Sequence, residues 1–478
     1  MPKLMRRGIQ QKNSSEAAFV SASFFSLWSQ KILTLLLVIF FGLSPLLVVS
    51  GYTPDGRLFC TLYDLPKINF IAAFVPLFGV FYGFYLYRNV SRMEACSAFL
   101  RQNLSVKLFL LLLVAMGASI LGSLVVKAGL YNLSNYILLV ILGFILAQIF
   151  LHNRLRWVAV YALLTALLIF TGLGILQFFS YKILFLKPIL GPASTFGYRN
   201  PAAHFIALVI PFVLFAVWRH WRLWRACGSF MQFSLFGGLL VLALAALALL
   251  FMNYSRTAIM ALLAETLVLP FVWFVSKKKA AGERGWKRQS LGRAFAYGLL
   301  LVVVIFALVM VFPQSRKRFE GSFNKFKQGG VPQVLEFRYY HWCNSLMMIK
   351  DHPILGVGLG NWRFNYPLYY KSLAKDPLFN YQMQVRKTHN DYLQLAAECG
   401  IPALCLFLLL WGRQFYLLRY ATVESDDGED WRLPLLASLL AFSVIMFFSF
   451  PMQMAYSRMF CFFLLALGEA RAWPALSS

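Results

Sequence analysis

The stretch SLFGGLLVLALAALALLFM at residues 234–252 contains no charged residue and a single hydroxyl group. A helix of this length crosses the hydrocarbon core of a bilayer, which is about 30 Å thick. Apolar runs of comparable length occur at Ile32–Ser50, Leu108–Val126 and Ala294–Phe312. Because only helices and closed barrels satisfy their backbone hydrogen bonds inside lipid, these runs predict a protein that crosses a membrane several times as α-helices.

The composition supports the same interpretation. Apolar residues make up 60% of the chain and charged residues only 13%, about half the share that is usual in globular domains. In a soluble protein the net charge of +27 would indicate nucleic-acid binding, but basic loops of membrane proteins set orientation and contact anionic lipids. We therefore expect membrane lipids, and no nucleic acid, as partners. The cysteines include no Cys-x-x-Cys pair, so neither a disulfide framework nor a zinc site is predicted.

Hydropathy predicts an all-α polytopic membrane protein with about 12 transmembrane helices. Lysine and arginine are concentrated in alternate connections, which begin with the N-terminal segment 1–31 and end with the C-terminal segment 471–478. Basic loops stay in the cytoplasm, so both termini are predicted to be cytoplasmic. The predicted spans are 32–50, 68–87, 108–126, 133–151, 157–179, 201–217, 231–252, 257–275, 294–312, 392–411, 433–450 and 453–470.

One long connection separates spans 1–9, within residues 32–312, from spans 10–12, within residues 392–470. This connection, 313–391, is rich in aromatic and polar residues. It is predicted to form a mostly helical subdomain on the outer face, because loops of this length are usually functional or disordered and its aromatic content argues against disorder. Within it, Glu336–Ile349 is predicted to be an amphipathic helix. The stretch Glu424–Asp430 is interpreted as a solvated acidic loop tip.

Three polar segments are predicted to meet at the outer face. The first, STFGYRNP at 194–201, opens the sixth span. Pro201 suits the first turn of a helix, Asn200 is a candidate cap, and Arg199 would then lie beside a helix N-terminus, which attracts anions. A helix cap with an arginine that extends to the membrane surface is the structural alternative.

The second segment, NYSRT at 253–257, forms the whole outer turn between two spans and keeps Arg256 at the interface, where it is either a binding residue or an anchor. Glu265, in the span 257–275 that follows this turn, is a candidate partner for a buried basic group. The third segment, KTHNDYLQ at 387–394, lies where the long loop re-enters the membrane. Its His389 is able to accept a proton near neutral pH, with a purely structural histidine as the alternative.

Two arginines and one histidine from distant segments suit one kind of chemistry. Guanidinium groups bind a pyrophosphate bidentately and neutralise it as a leaving group, while a neutral imidazole deprotonates the attacking hydroxyl. No carboxylate-rich site is evident in the outer segments, so neither a metal nor another cofactor is predicted. Transfer of a glycan from a pyrophosphate-linked lipid fits these requirements.

The same residues resemble a known family, the O-antigen ligase and O-antigen polymerase superfamily. The similarity begins with FGYRNP at 196–201 and Ser-Arg at 255–256, and it continues at Arg338 and Trp342. It includes three further motifs: DHPILGVGLGN at 351–361, HNDYLQ at 389–394 and ECGIP at 398–402. The run Gly356–Gly360 within the first of these is interpreted as a turn that lets the backbone approach another element, not as a dinucleotide-binding loop.

The resemblance implies a metal-independent, inverting glycosyltransferase of the bacterial inner membrane, with its active site facing the periplasm. The donor would be a glycan linked to undecaprenyl pyrophosphate. By the same resemblance Arg199 and Arg256 bind the donor and His389 is the catalytic base. Arg338 becomes a candidate contact for phosphate or acceptor, and Asn390 a candidate substrate-binding residue that orients the histidine.

Several functions remain open at this stage. A ligase would transfer a finished polymer to a lipid A-core sugar, whereas an O-antigen or exopolysaccharide polymerase would extend a growing glycan. A different class, a multi-span transporter or flippase of lipid-linked glycans, would also have many spans and buried charges. Transporters usually contain two related halves, however, and the long loop at 313–391 occurs once in this chain.

Overall fold

The computed structural model describes residues 30–48, 61–181, 191–267, 289–369, 385–418 and 429–476. The regular elements of these ranges are helices. In chain order they are α1 (Gln30–Leu43), α2 (Thr61–Tyr87), α3 (Val90–Gln102), α4 (Leu104–Ser119), α5 (Val126–Ile149), α6 (Asn153–Phe178), α7 (Arg199–Cys227), α8 (Phe230–Met252), α9 (256–267), α10 (Gln289–Val311), α11 (Pro313–Leu335), α12 (Phe337–Asp351), α13 (Trp362–Tyr369), α14 (Asp391–Leu417), α15 (Arg432–Phe448) and α16 (Ala455–Leu476).

Seven of the described helices are long and apolar enough to cross a membrane: α2, α4, α5, α6, α7, α8 and α14. The bent pair α10–α11 raises the number to as many as eight, and α1 and α15 are apolar but shorter. A helical protein with several membrane-spanning segments is therefore confirmed. The count of twelve spans and the side of the membrane on which the long loop lies stay predictions.

The outside of the bundle is apolar, as a lipid-facing surface requires. Large side chains such as Val80, Val114 and Leu121 are 71%, 68% and 87% exposed, respectively. Soluble monomers rarely expose contiguous apolar patches of this kind. Acyl chains solvate these side chains at no cost, because lipid tails are as apolar as they are.

Helix α7 lies at the centre of the bundle, and 83% of the residues in its most apolar stretch are buried. It packs against α8 and α15. Phe205 on α7 contacts the rings of Phe170 and Tyr456, each with 4.9 Å between ring centroids. Since lipid provides no hydrophobic drive for helix association, such close ring packing holds the bundle together.

The C-terminal end of α7 is fixed by a buried carboxylate. Glu429 Oε1 accepts a hydrogen bond from Arg219 Nε at 2.5 Å, and its Oε2 accepts one from Trp157 Nε1 at 2.6 Å. Glu429 is 8% exposed. The interpretation of the whole Glu424–Asp430 stretch as a solvated loop tip was therefore wrong for Glu429.

Helix α14 bends at Gly400, which has a φ of +82° and a ψ of 170°. A Cβ at this position would lie 1.9 Å from the carbonyl oxygen of Ile354, and Ile401 N donates to Pro353 O at 2.8 Å. The bend therefore lets the long loop cross the helix in direct backbone contact, which only glycine permits.

The helices in the described part of the long loop are α11, α12 and α13, which together make up most of it, in agreement with the prediction of a mostly helical loop. The amphipathic helix predicted at 336–349 corresponds to α12. The run Gly356–Gly360 is a turn, as predicted: its three glycines have positive φ. Val357 N and Gly358 N donate to the carbonyls of Ala397 and Glu398 at 2.8 and 2.9 Å. The turn thus docks the loop on α14.

Candidate active site

His389 lies at the end of the long loop, in the short link that joins the loop helices to α14, and has a backbone φ of +60°. This left-handed conformation is costly for a residue with a Cβ and persists only where the surroundings hold it. Asn390 Oδ1 accepts a hydrogen bond from Leu393 N at 3.0 Å and caps α14. The cap fixes the backbone directly after His389, and it is the side-chain hydrogen bond that the described residues show for Asn390.

The imidazole of His389 is enclosed by rings. Its centroid lies 4.7 Å from that of Phe450 and 5.0 Å from that of Phe337, and both contacts are edge-on. Nδ1 is buried and has no hydrogen-bond partner among the described residues. Burial lowers the pKa of His389 well below its ordinary value, and the positive charge of Arg338 lowers it further. The ring is therefore neutral at physiological pH.

Two more histidines, which the sequence did not assign to the site, surround the first. The ring of His341 on α12 lies nearly parallel to that of His389, at 28° and with 6.1 Å between centroids. His204 on α7 is 3% exposed. Its Nε2 has no hydrogen-bond partner in the part of the chain that the structure describes. Both imidazoles contribute to the lowered pKa of His389, after burial and the charge of Arg338.

Arg338 is the second residue of α12, whose first residue, Phe337, contacts His389. It is partly exposed, and its guanidinium carbon lies 5.3 Å from the ring centroid of Phe337. Burial, together with the charges of Arg256 and Arg318, lowers the pKa of Arg338 to about 10, although Glu336 opposes this effect. Since an arginine at pKa 10 is still fully charged at neutral pH, Arg338 is a cation adjacent to the imidazole.

Arg256 is the first residue of α9 and is held by the long loop. One terminal nitrogen donates to Ser322 Oγ at 3.0 Å, and the other lies 3.5 Å from Glu336 Oε2. Glu336 also accepts a hydrogen bond from Lys325 Nζ at 2.6 Å. Burial raises the pKa of Glu336, but the hydrogen bond from Lys325 and the charge of Arg256 outweigh it, so the pKa is below its ordinary value. This carboxylate ties Arg256 to the loop.

Arg199 opens α7, and its guanidinium carbon lies 4.4 Å from the ring centroid of Tyr254. Arg318, on α11, approaches the same ring at 5.6 Å. Gly197 shapes this corner, because its φ is +73° and a Cβ there would lie 2.3 Å from the ring of Tyr63. The two arginines thus share one aromatic ring, which attracts cations.

The N-cap of α7 differs from the predicted one. Helix α7 begins at Arg199, so Tyr198 occupies the N-cap position and its side chain makes no capping bond. The prediction that Asn200 caps the helix was wrong, whereas Pro201 does lie in the first turn.

The predicted arginines and His389 are linked by ring contacts and by the electrostatic effect of one charge on the next. Arg199 and Arg318 meet at Tyr254, the charges of Arg256 and Arg318 act on Arg338, and Arg338 acts on His389. We call Arg199, Arg256, Arg318 and Arg338 the arginine cluster. Glu336 is the carboxylate seen to pair with it in the described ranges.

Behind His389, a second set of charges ties the loop to the bundle. Lys387 Nζ donates to Gln453 Oε1 at 3.0 Å, and burial lowers the pKa of Lys387 to about 8 against the opposing effect of Glu398. Asp391 Oδ2 accepts a hydrogen bond from Met452 N at 2.8 Å. These contacts fix both sides of the link that carries His389.

Glu265 on α9 is 4% exposed, and its Oε1 has no hydrogen-bond partner among the residues described. The basic partner predicted for it is not found there. Within the same ranges no group of three or more His, Cys, Asp or Glu side chains is arranged to hold a metal ion.

These features define a class: a helical membrane protein with a neutral histidine beside a cluster of arginines, at the junction of its bundle and its long loop. Residues 239–408 match the family described as O-Antigen ligase. This match confirms the resemblance to the O-antigen ligase and polymerase superfamily for the region that contains Arg256, Arg338 and His389, while Arg199 lies outside it. None of the curated proteins compared with the chain matches it.

Proposed function

We propose that the protein transfers a glycan from an undecaprenyl-pyrophosphate carrier to a sugar hydroxyl of its acceptor, at the periplasmic face of the bacterial inner membrane. The observation that carries this proposal is the juxtaposition of a neutral imidazole at His389 with the arginine cluster. The family match supports glycosyl transfer in general. The arrangement supplies both requirements of the reaction, a base for the acceptor and positive charge for the leaving group.

His389 is the proposed base. Its lowered pKa leaves the ring unprotonated at neutral pH, so a nitrogen lone pair is available for the hydroxyl proton of the acceptor. The acceptor oxygen then attacks the anomeric carbon of the donor sugar from the face opposite the pyrophosphate. A new C–O bond forms as the bond to the phosphate oxygen breaks, which inverts the anomeric centre.

The arginine cluster is the proposed site for the pyrophosphate. As the glycosidic bond breaks, its electron pair passes to the phosphate oxygen, and guanidinium groups stabilise the developing charge. We assign Arg199 and Arg256 to donor binding, and Arg338 to the phosphate or the acceptor because its charge interacts with both Arg256 and His389. On this assignment guanidinium groups supply the charge that metal ions provide in other transferases, so the reaction is metal-independent. Asn390 contributes by fixing the backbone beside the base.

The acceptor decides between two activities of this site. A lipid A-core sugar as acceptor makes the protein an O-antigen ligase, which is our first choice, and a lipid-linked growing glycan makes it a polymerase. The purified protein, incubated with a lipid-linked glycan and each acceptor in turn, separates them: a ligase gives core-attached product, and a polymerase gives longer chains. A transporter or flippase would form no new glycosidic bond with either.

The test of the base is His389→Ala, with His352→Ala as its control, because His352 is an exposed histidine of the same loop. We expect the first variant to lose transfer at normal protein levels and the second to keep it. Normal turnover by His389→Ala would remove the base from the proposal. A topology reporter fused at residue 350 tests the orientation, and a cytoplasmic signal there would contradict a periplasmic site.

A further inference from the structure

Helix α11 runs at a right angle to the spanning segment that precedes it. The axes of Gly298–Val311 and Pro313–Leu335 are bent by 102°. The first of these is part of the apolar run predicted to cross the membrane. A helix nearly perpendicular to a spanning helix lies close to the plane of the membrane, at the level where α10 ends.

One side of α11 carries a stripe of exposed phenylalanines. At 100° per residue, Phe319, Phe323 and Phe326 fall within one narrow arc of the helix. They are 44%, 52% and 54% exposed. Regular helix geometry ends at Gly329 and Gly330, so the stripe lies within the regular part of α11.

The other faces of α11 have different partners. On the face toward the bundle, Arg318 approaches Tyr254, Ser322 accepts from Arg256, and Lys325 donates to Glu336. The remaining face is polar and mainly basic, and it includes an ion pair between Arg316 and Glu320 at 3.8 Å. This face consists of Arg316, Lys317, Glu320, Asn324, Lys327 and Gln328.

The phenylalanine stripe continues the lipid-facing surface of α10. Phe306 on α10 is 49% exposed, and its neighbour one turn earlier, Val303, is 55% exposed. The ring of Phe306 packs edge-on against that of Phe319, with 5.6 Å between centroids. The apolar surface therefore passes without a break from a spanning helix to the in-plane helix.

We infer that α11 is an interfacial helix whose phenylalanine stripe inserts into the acyl chains of the leaflet at which α10 ends. A helix with an aromatic face and a basic polar face typically sits with its apolar side about 5–10 Å into the headgroup and acyl boundary. The lipid surface is the occupant that fits, because the stripe continues a lipid-facing helix and the adjoining face is basic. This contact sets the depth of Arg318 and Lys325, which lie at the level of lipid phosphates.

The test places an environment-sensitive fluorescent amino acid at position 323 of the full-length protein in phosphatidylethanolamine–phosphatidylglycerol nanodiscs. The control places it at position 320, on the polar face. We expect nitroxides on the acyl chains to quench the probe at 323 and a water-soluble quencher to leave it bright, with the reverse at 320. Position 326 serves as a second probe site if the label at 323 prevents folding.

Two results would overturn the inference. Quenching at 323 and 326 by the aqueous reagent would mean that the stripe faces water. Protection from both quenchers would mean that another part of the protein covers it. The measurement needs no substrate, so its outcome is independent of the proposed transferase activity.

Discussion

Replacement of Glu398 by alanine tests how the long loop is held on the bundle. Its carboxylate accepts hydrogen bonds from Gly360 N at 2.9 Å, from Gln394 Nε2 at 3.1 Å and from Trp362 N at 3.4 Å. Glu398 is 4% exposed. Its removal leaves two backbone N–H groups of the loop and one side-chain amide without their acceptor.

The magnitude follows from those three donors. Each buried donor left unsatisfied costs about 1–3 kcal/mol, and the long bond from Trp362 counts at the low end. The variant no longer has to bury a carboxyl group, which offsets part of this loss. We therefore expect the free energy of unfolding to fall by about 3 kcal/mol. With an unfolding entropy of roughly 1 kcal/mol per kelvin for a chain of this length, the apparent Tm falls by roughly 3 °C.

The assay is thermal unfolding of the purified protein in detergent, with Glu320→Ala as the matched control. Glu320 is exposed and forms one i,i+4 ion pair, which is worth less than about 0.5 kcal/mol. Glu398→Gln keeps one acceptor oxygen and is expected to fall between alanine and the native residue. If Glu398→Ala unfolded at the native temperature, the loop would be held by other contacts. A Glu398→Gln variant as unstable as alanine would show that charge, not hydrogen bonding, dominates.

Three further outcomes are expected. Arg338→Gln removes a positive charge that lowers the pKa of His389, so the acid limb of the pH profile of kcat/KM moves to higher pH. An acid limb that stays in place would show that the charge of Arg338 does not act on His389. Arg256→Lys keeps the charge but loses the planar, bidentate guanidinium, so kcat/KM for the donor falls roughly 10- to 100-fold, as expected for a charged hydrogen bond of about 1.5–3 kcal/mol. An unchanged kcat/KM would show that Arg256 does not bind the donor. Gly400→Ala lowers the melting temperature, because backbone strain alone costs at least about 1–3 kcal/mol of folding free energy. Its control, Gly412→Ala in the same helix, places a Cβ with nothing within 4 Å and leaves the melting temperature unchanged.

Features encoded by local pattern were predictable from the sequence. The apolar runs gave the spanning helices, because the thickness of the bilayer sets their length. Helix α12 lies where the spacing of residues 336–349 predicted a helix. The turn at Gly356–Gly360 followed from the conformational freedom of glycine.

Features that depend on tertiary contacts were not predictable. No sequence pattern shows that Glu429 is buried against Arg219, since its neighbours are acidic and polar. His204 and His341 reach the site from α7 and α12 only because these helices converge on the link before α14. One signal in the sequence does mark His204. It is a polar residue in the first two turns of the helix that begins at Arg199. The role of Tyr254 as a shared platform depends on α11, which the sequence did not place.

The arginine cluster is divided between two parts of the protein. Arg199 and Arg256 belong to helices of the bundle, whereas Arg318 and Arg338 belong to the long loop, and Glu336 links the two parts. Like charges held this close repel one another, and a bound pyrophosphate would replace that repulsion with attraction to both sides at once. Donor binding is therefore expected to tighten the loop against the bundle. Because His389 lies in the link between them, the same event would position the base, so that it acts only when a leaving group is in place.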